Sequence, residues 1–377
     1  MPLKVIDIET TGTDPKTDRI IEIASIDLGA GGIYVNPVET LVNPERDIPP
    51  QSSAVHGMVA EDVAGAPLLA AVAVPQHWPI LREAGDEKRQ HLSGQVTCIH
   101  GDAAHWMASV PDNSIHAVVT DPPYGVIEYN GVNQEKLRAG KGGVWRIPPS
   151  FDGAKRSPLP RFTVLSPDDR TALVAFFAAL AKDLLRVLVP GGHIIIASNP
   201  LLSSQAFVAF EQAGLEKRGE VIRLVQTLRG GDRPKNADKE FPDVSMMARA
   251  CWEPWGIFRK PMEGTAAQNL RKWRTGGLRR ISDDEPFKDV IACSPTRGTE
   301  KKIAPHPSLK PQRFMRQIVR AALPLGEGIV YDPFAGSGST LAAAEALGYT
   351  AIGTERDAQY FEMACNAFTA LCKPNSA

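Results

Sequence analysis

The stretch Val330-Tyr331-Asp332-Pro333-Phe334-Ala335-Gly336-Ser337-Gly338-Ser339-Thr340 narrows the folds open to this chain more than any other. A short strand-forming run stops at an acid, a loop with two glycines follows, and a helical segment, 339–347, begins at once. Glycine permits a tight turn and lets a ligand come close to the main chain. A helix starting in that turn directs unpaired amide hydrogens and the positive end of its dipole into it. About 20 residues later the next strand, Thr350–Glu355, ends in an acid, where a carboxylate can hold both hydroxyls of a ribose. Strand, glycine loop, helix and strand in this order predict a largely parallel sheet and a ligand containing a nucleoside.

The same alternation appears upstream. Strands are expected at Val96–His100, 116–120 and 193–197, with a helix over 170–188 that starts after Pro167-Asp168-Asp169 and is stopped by Pro190-Gly191-Gly192. After the glycine loop come the strand Thr350–Glu355 and a helix over 358–371, and a helix over 311–323 precedes Ile329–Asp332. Asp102 follows the first of these strands and reads in two ways, as an acceptor for an adenine amine or as the cap of a helix over 103–110.

Val118-Val119-Thr120-Asp121-Pro122-Pro123-Tyr124-Gly125 carries the chemistry. Prolines 122 and 123 have no amide hydrogens and fix the backbone, so carbonyls beside Asp121 are left as uncommitted acceptors. Asp121 and such a carbonyl can take both hydrogens of an exocyclic amino group and aim its lone pair at an electrophile. Tyr124 offers a flat face for stacking the base. A base in a duplex must be flipped out to reach such a pocket.

Asp121-Pro122-Pro123-Tyr124 together with Asp332-Pro333-Phe334-Ala335-Gly336-Ser337-Gly338 resembles the two signature motifs of amino-group DNA methyltransferases. Their order, amine motif before cofactor motif, resembles the β-class, whose doubly wound α/β sheet is circularly permuted. His306-Pro307-Ser308-Leu309-Lys310-Pro311, Leu188-Val189-Pro190-Gly191-Gly192-His193 and Trp252-Glu253-Pro254 with Phe258-Arg259-Lys260-Pro261 are similar to further motifs of that class. The resemblance spans roughly residues 94–372. It implies S-adenosyl-L-methionine as cofactor, double-stranded DNA as substrate, direct methyl transfer without metal or covalent intermediate, and site-specific methylation. In this class an aspartate at the head of the amine motif occurs mostly in adenine-N6 enzymes, so Asp121 favours adenine N6 over cytosine N4. Carried onto this chain, Asp121, Pro122, Pro123 and Tyr124 form the catalytic set. Asp102, Asp332, Phe334, Gly336, Ser337, Gly338 and Glu355 frame the cofactor, with Ser308 and Lys310 near its methionine end. A homodimer and a cognate restriction endonuclease are partners known for such enzymes and stay open here.

Charge is unevenly placed. Net charge is −1, yet residues 1–91 hold 7 Lys+Arg against 14 Asp+Glu, while 217–302 hold 19 against 12. The basic block suggests a polyanion partner bound by one part of the chain. The block about 217–304 is expected to be the target recognition region, with Arg229, Arg233, Lys235, Arg271, Lys272 and Arg274 as candidate DNA contacts. The expected domain division is 1–91, including a connection over 65–91, and 92–377.

Val5-Ile6-Asp7-Ile8-Glu9-Thr10-Thr11-Gly12, with strands expected at 4–8 and Ile20–Leu28, resembles the opening of DnaQ-type proofreading exonucleases of ribonuclease-H-like fold. In that family the first Asp and Glu bind catalytic metal ions, which would make Asp7 and Glu9 vestigial metal ligands. The later Asn…Phe-Asp and His…Asp segments are absent, so the resemblance implies an incomplete fragment, and a metal-dependent 3′–5′ exonuclease is the weaker functional reading. Five cysteines (98, 251, 293, 365 and 372) form no CxxC pair, and no apolar run reaches the roughly 18–20 residues of a membrane span. A reducing cytoplasm is the expected location.

Overall fold

The computed structural model describes residues 3–10, 20–28, 34–41, 44, 47–56, 58–64, 88–123, 165–225, 233–234, 236–248, 250–296, 298–306 and 308–373. The chain divides into two compact units, Met1–Trp78 and Pro79–Ala377. In the first, strands β1 (Leu3–Thr10), β2 (Ile20–Leu28) and β3 (Tyr34–Leu41) pair antiparallel in that order. The register sets Asp7 opposite Ala24 and Glu9 opposite Glu22. Helices α1 (Pro50–His56) and α2 (Ala60–Val63) follow, and Ile48 and Val63 form a small buried cluster with Met58 against it.

The second unit runs β4 (Lys88–His91), β5 (Val96–His100), α3 (Ala103–Ser109), β6 (Ile115–Thr120), α4 (Pro167–Val187), β7 (Leu188–Ala197), α5 (Ser203–Gln212) and β8 (Glu216–Leu224). It continues with β9 (Trp252–Arg259), α6 (Ala266–Trp273), β10 (Val290–Ala292), α7 (Gly298–Ile303), α8 (Gln312–Ala322), β11 (Ile329–Asp332), α9 (Ser339–Ala346), β12 (Thr350–Glu355) and α10 (Ala358–Cys372). Among the described residues the strands form one mixed sheet, ordered β10-β8-β9-β7-β6-β11-β12-β5-β4. β5, β12, β11, β6 and β7 are mutually parallel, and β9 runs against β7 and β8.

β6 is buried along its whole length, as a central strand covered on both faces must be. From 117 to 119 its side chains alternate: Ala117 and Val119 join a core with Trp255, Phe314, Ile318, Leu341 and Phe361, while Val118 joins Trp106, Leu173, Phe177, Phe207 and Tyr331 on the other face. Helix α4 begins on a capping box, with Ser166 accepting from the Asp169 N–H and Asp169 accepting from the Ser166 N–H.

Two expectations need correction. Residues 88–91, read as connection, pair antiparallel with β5 as a polar outer strand; the charged and amide side chains Arg89 and Gln90 suit a strand at a sheet edge. Pro190-Gly191-Gly192 does not separate helix from strand, because β7 starts at Leu188 and absorbs the three residues as an irregularity. Ile115 faces Leu188 there, and two residues on Ala117 already faces His193. The block 217–304 holds β9, α6, β10, α7 and all but the first residue of β8, a strand with exposed charges and an arginine on its buried side.

Candidate active site

Because five strands run parallel, their carboxyl ends (His100, Glu355, Asp332, Thr120 and Ala197) share one edge of the sheet. Ligands of open α/β sheets sit at this edge, beside the strands where the order reverses. β6 and β11 are neighbours, with Val330 opposite Ala117 and Tyr331 opposite Val118. The Asp-Pro-Pro segment and the glycine loop therefore leave the sheet side by side.

They are also bonded to each other. Thr120 Oγ1 donates to Asp332 Oδ1 at 2.6 Å, and the same oxygen accepts from the Phe334 N–H at 3.0 Å. Thr340 Oγ1, in the first turn of α9, donates to the Val119 carbonyl at 3.3 Å. Asp332 is 3% exposed, and burial pushes its carboxyl up to about 6 against the pull of these hydrogen bonds, with the charge of Asp121 adding to the rise. Asp332 is thus a strut between the two motifs.

The loop itself is set by its glycines. Gly336 has φ +52° and Gly338, the residue preceding α9, has φ +79°, in the left-handed region that side chains disfavour. A side chain at Gly336 would stand 3.4 Å from His306 Nε2, so the missing one keeps a cleft open between loop and ring. Burial first, and Lys310 second, hold His306 down at about 4, and the ring is neutral at pH 7. Its Nδ1 accepts from the Ser308 N–H at 3.2 Å, which leaves the proton on Nε2, toward the glycine loop. Tyr360 closes on the same ring edge-to-face at 4.4 Å. Ser337 is buried, and Phe334 packs against Phe176 of α4 at 6.0 Å.

Glu355 closes the far side. Its Oε2 accepts from the Gly336 N–H and its Oε1 from the Asp357 N–H, each at 2.8 Å. A carboxylate has further lone pairs for a hydroxyl. Of the two readings of Asp102, the cap is the one the structure displays: Oδ1 accepts from the Ala104 and His105 N–H groups at 2.9 and 3.2 Å.

Lys310, expected near the methionine end of the cofactor, is held against the amine motif. Its ammonium meets Asp121 Oδ2 at 2.5 Å and Glu253 Oε1 at 3.2 Å, and Glu253 Oε2 accepts from Arg223 at 2.9 Å and from the Trp255 indole at 3.3 Å. No local sequence signal marks Thr120, Glu253, Arg223 or His306 individually. Glu253 and Arg223 are directly opposed across β8 and β9, a pairing visible only once the register is known. Tyr124, Arg229 and Lys235 lie outside the described residues, as do the side chains of Asp7 and Glu9. Among the described residues no group of three His, Cys, Asp or Glu is placed to hold a metal ion.

The sequence pattern of the DNA methylase family matches residues 115–366, two thirds of the chain, including both motifs at this edge. The chain belongs to the DNA methylase family. A second pattern, that of exonucleases, matches residues 5–87, so the methylase carries an N-terminal exonuclease-like fragment. The type II methyltransferase M.HindIII of Haemophilus influenzae is 26% identical over 296 residues, covering 72% of this chain and 94% of that protein. Exodeoxyribonuclease 10 of Escherichia coli is 37% identical over 102 residues, 26% of this chain but only 44% of the nuclease. Among solved structures, the M1.HpyAVI–SAM complex superposes with a TM-score of 0.44 at 17% identity, over 72% of this chain and 98% of the other. The family uses S-adenosyl-L-methionine as methyl donor. The methylase's residues fit it: a glycine cradle before α9, a neutral imidazole N–H facing that cradle, and a carboxylate at the end of the following strand.

The basic clusters part company in the methylase. β9 runs from the edge that carries Asp121 and the glycine loop to the opposite one, and Lys260 just after it donates to the Leu188 carbonyl at the start of β7. α6 stays there, with Asn269 and Thr275 bonded to the Pro190 carbonyl. Arg274 pairs with Glu327, just before β11 begins, and Lys272 with Glu263 at 2.6 Å. Arg271, Lys272 and Arg274 thus lie a strand's length, roughly 20 Å, from Asp121, and two of them are already in ion pairs. These three candidate DNA contacts are carried to that opposite edge by the antiparallel course of β9. Exposed Arg233, by contrast, belongs to the connection that leaves β8 at Leu224 and re-enters β9 at Trp252, both at the edge where β6 and β11 end.

Among the described residues no helix is long and apolar enough to cross a membrane.

Proposed function

We propose that this methylase transfers a methyl group to adenine N6 in double-stranded DNA, at specific sites and with the target base turned out of the helix. The observation that carries the reading is the 2.6 Å bond from Thr120 to Asp332, which makes the amine motif and the glycine loop neighbours at one sheet edge. Asp121, with the Pro122 carbonyl, accepts the two amine hydrogens, shifts electron density onto the nitrogen and turns its lone pair toward the cradle. Pro123 keeps the backbone from competing as a donor, and Tyr124 stacks on the base. Asp332, Phe334, Gly336, Ser337, Gly338 and Glu355 would hold the cofactor, with Asp102 and Ser308 at its borders. When bound, S-adenosyl-L-methionine supplies a methyl carbon made electrophilic by its sulfonium. The contribution of the chain is then orientation: two ligands held in line by strand ends bonded to each other.

The strand order, with late β11 between early β6 and late β12, supports a circularly permuted sheet of the β-class. For DNA contact, Arg229, Arg233 and Lys235 on the β8–β9 connection are favoured over Arg271, Lys272 and Arg274. The exonuclease-like fragment, with two of four expected acids, is read as lacking nuclease activity.

The test is mass analysis of nucleosides from unmethylated DNA incubated with the protein and S-adenosyl-L-methionine. N6-methyladenine is expected, and Asp121→Ala should abolish it. N4-methylcytosine alone would overturn the choice of base.

A further inference from the structure

Four charged side chains alternate in sign through the interior beside Asp121. Arg223, 7% exposed, meets Glu253; Glu253, 13% exposed, meets Lys310; Lys310, 6% exposed, meets Asp121. Arg223 lies over the Phe314 ring at 5.3 Å and Lys310 over the Trp255 ring at 5.9 Å. Buried ion pairs of this kind are weak contributors to stability, because desolvation offsets most of the attraction, and they are best explained by what they position. Lys310 is itself fixed, since Pro311 caps α8 immediately after it and the Leu309 carbonyl accepts from Thr296.

We propose that Lys310 is a positioning residue for the amine acceptor: its ammonium anchors one oxygen of Asp121, and Glu253 neutralises that ammonium. The inference rests on the methyl-transfer reading above. A lone carboxylate at the end of a strand can rotate about its terminal torsion. Anchoring Oδ2 removes that freedom and gives the carboxylate one orientation toward the incoming amine. An uncompensated cation there would oppose the positive charge that methyl transfer places on the amine nitrogen. Glu253 answers this by pairing with Lys310, and Arg223 in turn holds Glu253. The quartet carries no net charge, so the anchor orients Asp121 without adding a field of its own at the reacting nitrogen.

The test compares wild type with Lys310→Ala, Lys310→Arg and the double variant Lys310→Met/Glu253→Gln, which removes the ammonium with its counter-charge and so limits unfolding. Single-turnover labelling of unmethylated plasmid DNA at saturating cofactor gives the rate, and calorimetry with S-adenosylhomocysteine gives cofactor affinity. Lys310→Ala and the double variant should be slower by about 10²-fold, the effect of about 1 Å of misplacement, with affinity for S-adenosylhomocysteine within about twofold. Lys310→Arg should regain most of the loss, with KM for DNA less affected than kcat. The proposal falls if Lys310→Ala and the double variant label DNA at the wild-type rate. It falls equally if the ligand affinity drops while the saturated rate stays normal, since Lys310 would then serve the cofactor. A wild-type protein that labels no DNA would instead overturn the methyl-transfer reading, and this inference with it.

Discussion

Asp332→Asn should make the second unit more stable in neutral and alkaline solution while leaving it almost unchanged in acid. The wild-type carboxyl is buried and raised from 3.8 to about 6. A carboxyl held above its unfolded value binds its proton more tightly when folded. Its contribution is therefore favourable below about pH 4 and is lost as pH rises through about 6. The displacement corresponds to about 3 kcal/mol of destabilisation fully developed at pH 8, and to under about 1 kcal/mol at pH 4. Asparagine removes the charge but keeps an oxygen to accept from Thr120 and Phe334, and its amide can donate to the Thr340 hydroxyl. At about 2 °C per kcal/mol for a unit of this size, Tm should rise by roughly 6 °C at pH 8 and by about 1 °C at pH 4. Scanning calorimetry of both proteins across pH 4–8 measures the difference directly. A gap independent of pH, or a lower Tm for Asp332→Asn at pH 8, would refute the reasoning that burial of charge dominates at this position.

Gly338→Ala forces a side chain into φ +79° and against Ala364 Cβ at 3.3 Å; the strain of about 1–2 kcal/mol should lower Tm by a few degrees and weaken S-adenosylhomocysteine binding in calorimetry. Asp102→Ala removes the acceptor for two N–H groups of α3 and should lose about 1 kcal/mol, read as a Tm about 2 °C lower. Arg233→Glu should weaken duplex binding roughly threefold or more and flatten its salt dependence. Lys272→Glu, at the far edge and already paired, should change it less than about twofold, as followed by fluorescence anisotropy at several salt concentrations.

The glycine loop, β12 and Glu355 were legible in the sequence because a strand, a turn and a helix are local: each signal lies within a few residues of the next. The same holds for β2 and β5, whose ends were read to the residue. What was not legible depends on distance along the chain. Glu253 meets Arg223 only because the β8–β9 connection returns in one register out of several, and Lys310 meets Asp121 across 189 residues. Nor was the place of the basic residues of α6 legible, because composition says nothing of strand direction, and one antiparallel strand is enough to carry them to the opposite edge. Asp102 was undecided for a related reason: a carboxylate two residues before a helix looks the same as cap or ligand until its hydrogen bonds are seen.

Thr120 and Asp332 are 212 positions apart, and their bond closes the middle of the sheet. A ribosome making about 5–20 residues per second needs roughly 10–40 seconds between them. During that interval β6 has β7 available on one flank and bare peptide groups on the other, an invitation to adhesive encounters with other chains. Early truncation products should therefore be sticky rather than partly competent, and quality-control chaperones are the natural recipients of that exposed flank.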